Sequence, residues 1–196
     1  QGAHHFAACI REIRDLNPKT MVEVLVPDFC GNTQLLTAVL DARPEVLAHN
    51  IECTEALTSK VRDPRAGYQQ SLDVLASAHR IAPQIPTKSS IMVGLGETEA
   101  DVTETMRDLR TVGCRFLTVG QYLRPTPSHL AVAEFIPPET FSRYEQMGLS
   151  LGFEYVASGP LVRSSYKAGE FFIRNLLEKE KASGHGGPQT PPQRLS

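Results

Sequence analysis

Five short apolar runs, at residues 21–26, 46–51, 90–93, 116–120 and 155–157, constrain this chain more than any other feature. Most are continuously hydrophobic rather than alternating, which suits strands covered on both faces in a parallel sheet. Helical periodicity fills the gaps, at 6–16, 33–41, 66–81, 99–112 and 138–151. The segment 99–112 is the clearest, because Val102, Met106, Leu109 and Val112 share one face, Thr98 can cap its start and Gly113 can end it. Alternating strands and helices make repeated βα units, and unit lengths of roughly 25–40 residues suit a (β/α) barrel or a doubly wound sheet. A complete eight-fold barrel needs ~250 residues. The 196 residues here, opening directly on a helix, therefore predict a partial, N-terminally truncated barrel.

That domain is expected to span residues 1–177. From Glu178 onward, Gly, Pro, Ser and Gln replace apolar residues, so residues 178–196 read as a disordered tail. A net charge of −2 and a pI near 6.3 argue against bulk electrostatic binding to nucleic acid or anionic membranes. No apolar run approaches the ~18–20 residues of a membrane span, and no secretory or other targeting segment is visible. The four cysteines, Cys9, Cys30, Cys53 and Cys114, are scattered without metal-ligand spacing and are expected to be reduced.

In barrels and open α/β sheets, ligands bind at the C-terminal ends of the strands. The residues leaving the runs are His49-Asn50-Ile51-Glu52, Gly94-Leu95-Gly96-Glu97-Thr98, Gln121-Tyr122-Leu123-Arg124 and Ser158-Gly159-Pro160. They concentrate polarity on one rim. Gly94 and Gly96 permit a sharp turn or a close approach of backbone to ligand, but the turn matches neither a dinucleotide fingerprint nor a P-loop. Lys88, Glu52 and Asn50 are candidates for holding a zwitterionic amino acid or ribose hydroxyls. Near the C-terminus, Arg163-Ser164-Ser165-Tyr166 packs a guanidinium and three hydroxyls into four positions. They read either as a helix N-cap or as a polar binding element.

The ordered series of these motifs resembles the lipoyl synthases, which are radical S-adenosylmethionine (SAM) enzymes. The similarity runs from about Gly2 to Ala168. It includes Gly2-Ala3-His4-His5-Phe6, Val26-Pro27-Asp28-Phe29, His49-Asn50-Ile51-Glu52 and Val61-Arg62-Asp63-Pro64-Arg65-Ala66. It continues through Thr87-Lys88-Ser89, Gly120-Gln121-Tyr122-Leu123-Arg124-Pro125-Thr126 and the closing Arg163-Ser164-Ser165-Tyr166. The resemblance implies a radical SAM partial barrel, two [4Fe-4S] clusters and SAM as cofactors, and sulfur insertion at C6 and C8 of a protein-bound octanoyl group.

It also implies a SAM-facing rim of Asn50, Glu52, Lys88, Gly94, Gly96 and Glu97. Ser165 is expected to be a ligand of the auxiliary cluster, with Ser164 as the alternative. An alkoxide is a harder donor than a thiolate and less suited to cluster iron, so it would leave one iron easier to release. The implied partners are an octanoylated lipoyl-carrier domain (glycine cleavage H protein or 2-oxoacid dehydrogenase E2) and an electron donor such as ferredoxin or flavodoxin. The implied compartment is the mitochondrion in a eukaryote and the cytoplasm otherwise.

Two departures stand out. The family's cysteine triads have no counterpart here, so this polypeptide alone is expected to be inactive, and Cys53-Thr54 replaces Thr-Val after Glu52. Two alternatives remain: a non-catalytic relative that binds the carrier protein or SAM, and an unrelated (β/α) barrel enzyme with Lys88 as a Schiff-base residue.

Overall fold

The computed structural model describes residues 2–165. Five parallel strands form one sheet: β1 (Glu23–Leu25), β2 (Val46–Ala48), β3 (Thr87–Val93), β4 (Phe116–Gln121) and β5 (Tyr155–Gly159). They lie side by side in sequence order, β1-β2-β3-β4-β5. An order with no reversal has no switch-point crevice, so it decides between the two architectures in favour of a partial (β/α) barrel. The helices are α1 (Gly2–Leu16), α2 (Thr33–Leu40), α3 (Glu55–Val61), α4 (Tyr68–Ile81), α5 (Glu99–Thr111) and α6 (Pro138–Ser150).

Strand pairing separates the two faces of the sheet. Ile51, Ile91, Val93, Leu117, Val119 and Val156 point outward into the main core. There they meet Leu72 and Leu75 of α4, Val102, Met106 and Leu109 of α5, and Phe141 and Tyr144 of α6. A second core joins Val24 and Leu47 to Ala7 and Ile10 of α1 and Leu36 and Val39 of α2. On the opposite, inner face, Val46 and Phe116 pack with Met21 and Tyr155 near the strands' N-terminal ends and plug the bottom of the barrel.

Above that plug the inner face turns polar. The Lys88 ammonium, its side chain only 5% exposed, is bound by both carboxylate oxygens of Glu23 at 2.8 and 2.9 Å. Pairing meets the high cost of burying a charge. It also lets β3 begin at Thr87, three residues before the apolar run starts at Ser90. Ser89 faces the helices, and its hydroxyl accepts from the Ile51 amide (3.1 Å) just beyond the end of β2.

Helix α5 follows its sequence signals closely. Val102, Met106 and Leu109 are fully buried, Gly113 ends the turn at φ +81°, and Thr98 forms a reciprocal capping box with Asp101. Replacing a cap by alanine typically costs about 1 kcal/mol. Thr98→Ala is therefore expected to destabilise the protein by about that amount, read as a lower denaturant midpoint at unchanged slope. Helix α3 had no counterpart among the expected elements. None of its residues is buried and Thr54 makes no side-chain cap bond, so neither apolar periodicity nor a capping box marks it. The expected tail at 178–196 and Tyr166 lie outside the described residues.

Candidate functional site

A cavity of about 400 Å³ opens at the C-terminal ends of β2, β3 and β4, on the inner face of the sheet. Small side chains make the space, because Ala48, Ser90, Gly120, Ala157 and Gly159 occupy inner-face positions. Three pieces of chain enclose it. Asn50, Glu52, Ser90 and Met92 form one wall, residues 122–130 a second, and residues 162–164 close the third side.

Glu52 is the most constrained member. Its backbone sits at φ +69°, a left-handed conformation that costs a non-glycine residue roughly 1–2 kcal/mol. Two bonds to β3 hold it there: its N–H donates to the Ser90 carbonyl (3.0 Å) and its carbonyl accepts from the Met92 amide (2.8 Å). Asn50 reaches the same wall by strand alternation. Its neighbour His49 points the other way, and His49 Nδ1–H donates to the Val26 carbonyl at 2.9 Å.

That bond fixes the tautomer and leaves His49 Nε2 buried without a hydrogen-bond partner. Burial, the largest influence, lowers the His49 pKa. An imidazole with a depressed folded pKa is protonated more readily in the unfolded chain, so stability falls as pH drops below the unfolded value of about 6.5. The loss continues until pH has passed the folded pKa. A urea-midpoint series from pH 8 to 5 should show this slope, and His49→Gln should flatten it.

The second wall is a long connection between β4 and α6, pinned by Gln121. The Gln121 side-chain Nε2 donates to the Glu134 carbonyl (3.0 Å), and Oε1 accepts from the Ile136 amide (2.9 Å). Tyr122 Oη donates to the Leu130 carbonyl (2.9 Å) and Arg124 Nε to the His129 carbonyl (2.8 Å). From the other side, the Gly94 carbonyl accepts from Ala133 and Glu134. Gly94, at φ +95°, is approached so closely that a Cβ there would lie 2.4 Å from the Glu134 carbonyl oxygen. Gly96 lies on the same turn, at φ +105°. The Glu97 carboxylate accepts from the Gly94 and Leu95 amides and holds that turn.

Of the residues expected on the SAM-facing rim, Asn50 and Glu52 therefore line the cavity. Gly94, Gly96 and Glu97 stand behind its second wall, and Lys88 sits deeper on the inner face in its pair with Glu23. The closing segment brings in the other end of the sequence. The Val162 carbonyl lies directly over Gly120, and Arg163 Nη1 donates to the carbonyls of Val162 (3.0 Å) and Gln121 (3.4 Å). Ser164 lines the cavity, whereas Ser165 is exposed beyond it. The sequence motifs did not single out Ser90, Met92 or Val162 as site residues. Each occupies an ordinary strand or turn position and becomes part of the wall only through strand alternation and the crossing at Gly120.

The donor set fits SAM. One carboxylate and one carboxamide on a strained, fixed wall suit ribose hydroxyls or an ammonium, and the volume falls in the range of small-molecule sites. The two buried cysteines do not fit an iron–sulfur cluster, and Cys9 and Cys30 are exposed on the surface. Cys53 and Cys114 are fully buried, burial raises both thiol pKa values, and that of Cys114 is pushed up to about 12, away from the thiolate a cluster needs. Among the described residues, no three His, Cys, Asp or Glu side chains assemble into a metal site.

No family model matches the chain. Individual relatives do. It is 58% identical over 172 residues to a lipoyl synthase of Thermus thermophilus, covering 88% of this chain and 53% of that protein. It is 55% identical over 177 residues to a mitochondrial lipoyl synthase of Aedes aegypti, covering 90% and 45%. A lipoyl synthase of Myxococcus xanthus shares 53% identity over 180 residues, covering 92% and 60%. The chain thus spans about half the length of the curated relatives it matches, and over that region it belongs to the lipoyl synthase family.

Proposed function

We propose that this chain forms the SAM- and acyl-facing part of an enzyme that inserts sulfur at C6 and C8 of a protein-bound octanoyl group to make the lipoyl cofactor. One observation carries the reading. Asn50 and Glu52 from the end of β2 and the Arg163-Ser164 segment after β5 meet in a single cavity, although more than a hundred residues separate them.

When bound, SAM supplies the 5′-deoxyadenosyl radical that abstracts hydrogen from the acyl chain. Asn50 and Glu52 bind and orient its polar groups, with Glu52 held in place by β3. The 122–130 wall shields that space from water, and the Arg163-Ser164-Ser165 segment presents hydroxyls at its edge for the sulfur-donating cluster. On this reading the thiolate ligands of both clusters come from sequence outside these 196 residues. The substrate is an octanoylated lipoyl-carrier domain, of an H protein or an E2 subunit, and a ferredoxin or flavodoxin supplies electrons. The compartment is the mitochondrion in a eukaryote, as the name of the Aedes aegypti relative has it, and the cytoplasm otherwise.

The test is an anaerobic reaction of the full-length enzyme, reconstituted with iron and sulfide, with SAM, dithionite and an octanoyl-lysyl peptide. Lipoyl peptide and 5′-deoxyadenosine are the expected products by mass spectrometry. Unchanged peptide with no 5′-deoxyadenosine overturns the reading. The 196-residue polypeptide treated identically is expected to retain little iron.

A further inference from the structure

Helix α1 turns Ala3, Ala7 and Ile10 into the core behind the sheet and leaves His5 and Cys9 in solvent. The two exposed residues are four apart, so they stand one above the other on one helical face. Their side chains meet, with Cys9 Sγ 3.7 Å from His5 Nε2. A thiol–imidazole hydrogen bond accounts for the contact, but in solvent such a bond gains little over hydration of its partners. The separation also suits a metal. Zinc binds thiolate sulfur at about 2.3 Å and imidazole nitrogen at about 2.0–2.1 Å, and a tetrahedral angle between those bonds sets the two donors about 3.6 Å apart. The pair is thus already at chelating distance, on a helix whose other face is anchored in the core. Two waters complete the four positions, or Glu12 replaces one of them after a rotamer change, since it is exposed three residues beyond Cys9 on the same face. Spacing among the cysteines alone hides the arrangement, because the second donor is a histidine one helical turn away.

We propose that His5 and Cys9 form a surface site on α1 for a borderline-soft divalent cation, zinc above all, held by Nε2 and Sγ. On binding, the thiol gives its proton to solvent and the sulfur takes up the metal as thiolate. The site stands on the helical side of the sheet, away from the inner-face cavity, and is independent of the function proposed above.

The experiment is a calorimetric titration of the full-length, cluster-loaded enzyme with zinc, followed by zinc K-edge X-ray absorption at one added equivalent, which reads zinc separately from cluster iron. One sulfur at about 2.3 Å, with nitrogen and oxygen at about 2.0–2.1 Å, is the expected shell. Outer-shell partners alone are worth about 10–100-fold in metal affinity, so Cys9→Ala and His5→Ala, which each remove a ligand, should weaken zinc binding by about tenfold or more. Cys9→His, which rebuilds the chelate from two imidazoles at the same spacing, should restore affinity and remove the sulfur from the spectrum. His4→Ala, about 100° around the helix from His5, should change neither. A shell of three or four sulfurs would put the zinc on cluster cysteines, and a shell of nitrogen and oxygen alone would put it on other surface groups. Either result overturns the assignment, as does a zinc affinity that Cys9→Ala and His5→Ala leave unchanged.

Discussion

Gly120→Ala in the full-length enzyme is expected to reduce lipoyl formation by about a hundredfold or more while the sheet still folds. A Cβ at Gly120 would lie 2.2 Å from the Val162 carbonyl oxygen and 3.2 Å from its carbon. These are backbone atoms, so no side-chain rotation relieves the clash, and the segment carrying Arg163 and Ser164 must lift away from the cavity. Overpacking of this kind typically costs 1–3 kcal/mol. A displacement near 1 Å of a positioning element can cost about a hundredfold in rate. Gly148→Ala is the matched control. Its Cβ would meet a Val156 methyl at 2.8 Å, in the packing between α6 and the outer face of β5, away from the cavity. It should lower the melting temperature comparably and spare most of the activity. A fully active Gly120→Ala enzyme would show that the closing segment plays no part in the site.

Glu52→Gly should separate strain from binding. At φ +69° glycine relieves roughly 1–2 kcal/mol of backbone strain, and it also gives the unfolded chain more freedom to lose, a cost of about 0.5–1 kcal/mol. Stability should therefore stay within about 1 kcal/mol of the parent, whereas SAM affinity falls at least tenfold with loss of the carboxylate. Glu52→Gln keeps the strain and the size, and it should also weaken SAM. Equilibrium dialysis beside denaturant melts reads both quantities. Undiminished SAM binding by both variants would remove Glu52 from the site.

What the sequence revealed, and what it hid, follows from where the signals reside. Helix α5 was legible because its apolar spacing, capping threonine and terminating glycine all agree. The start of β3 was not, because Thr87, Lys88 and Ser89 look like a polar loop until Glu23, on a strand two places away, supplies the partner for Lys88. β1 and β2 were drawn too long, since Met21, Val22 and Val26 flank the ladder of β1 and Ile51 follows His49 and Asn50 beyond that of β2.

At the site, the rim at Asn50 and Glu52 could be read from strand ends alone. The work of Gly94 and Glu97 could not, because Glu97 holds the turn whose Gly94 carbonyl accepts from the connection between β4 and α6, and the folding of that connection depends on Gln121. The crossing of Val162 over Gly120 is likewise a contact between distant residues that no local pattern announces. It places Ser164 rather than Ser165 against the cavity in the described structure.

Hydrogen exchange of the full-length enzyme with and without SAM locates the bound ligand on the fold. Protection is predicted to concentrate on residues 50–53, 90–93 and 120–123, the strand ends around the inner cavity. Protection confined instead to the groove between α2 and α4, around Asn32, Gln69 and Asp73, would overturn the assignment of the inner cavity to SAM. It would place the ligand outside the barrel.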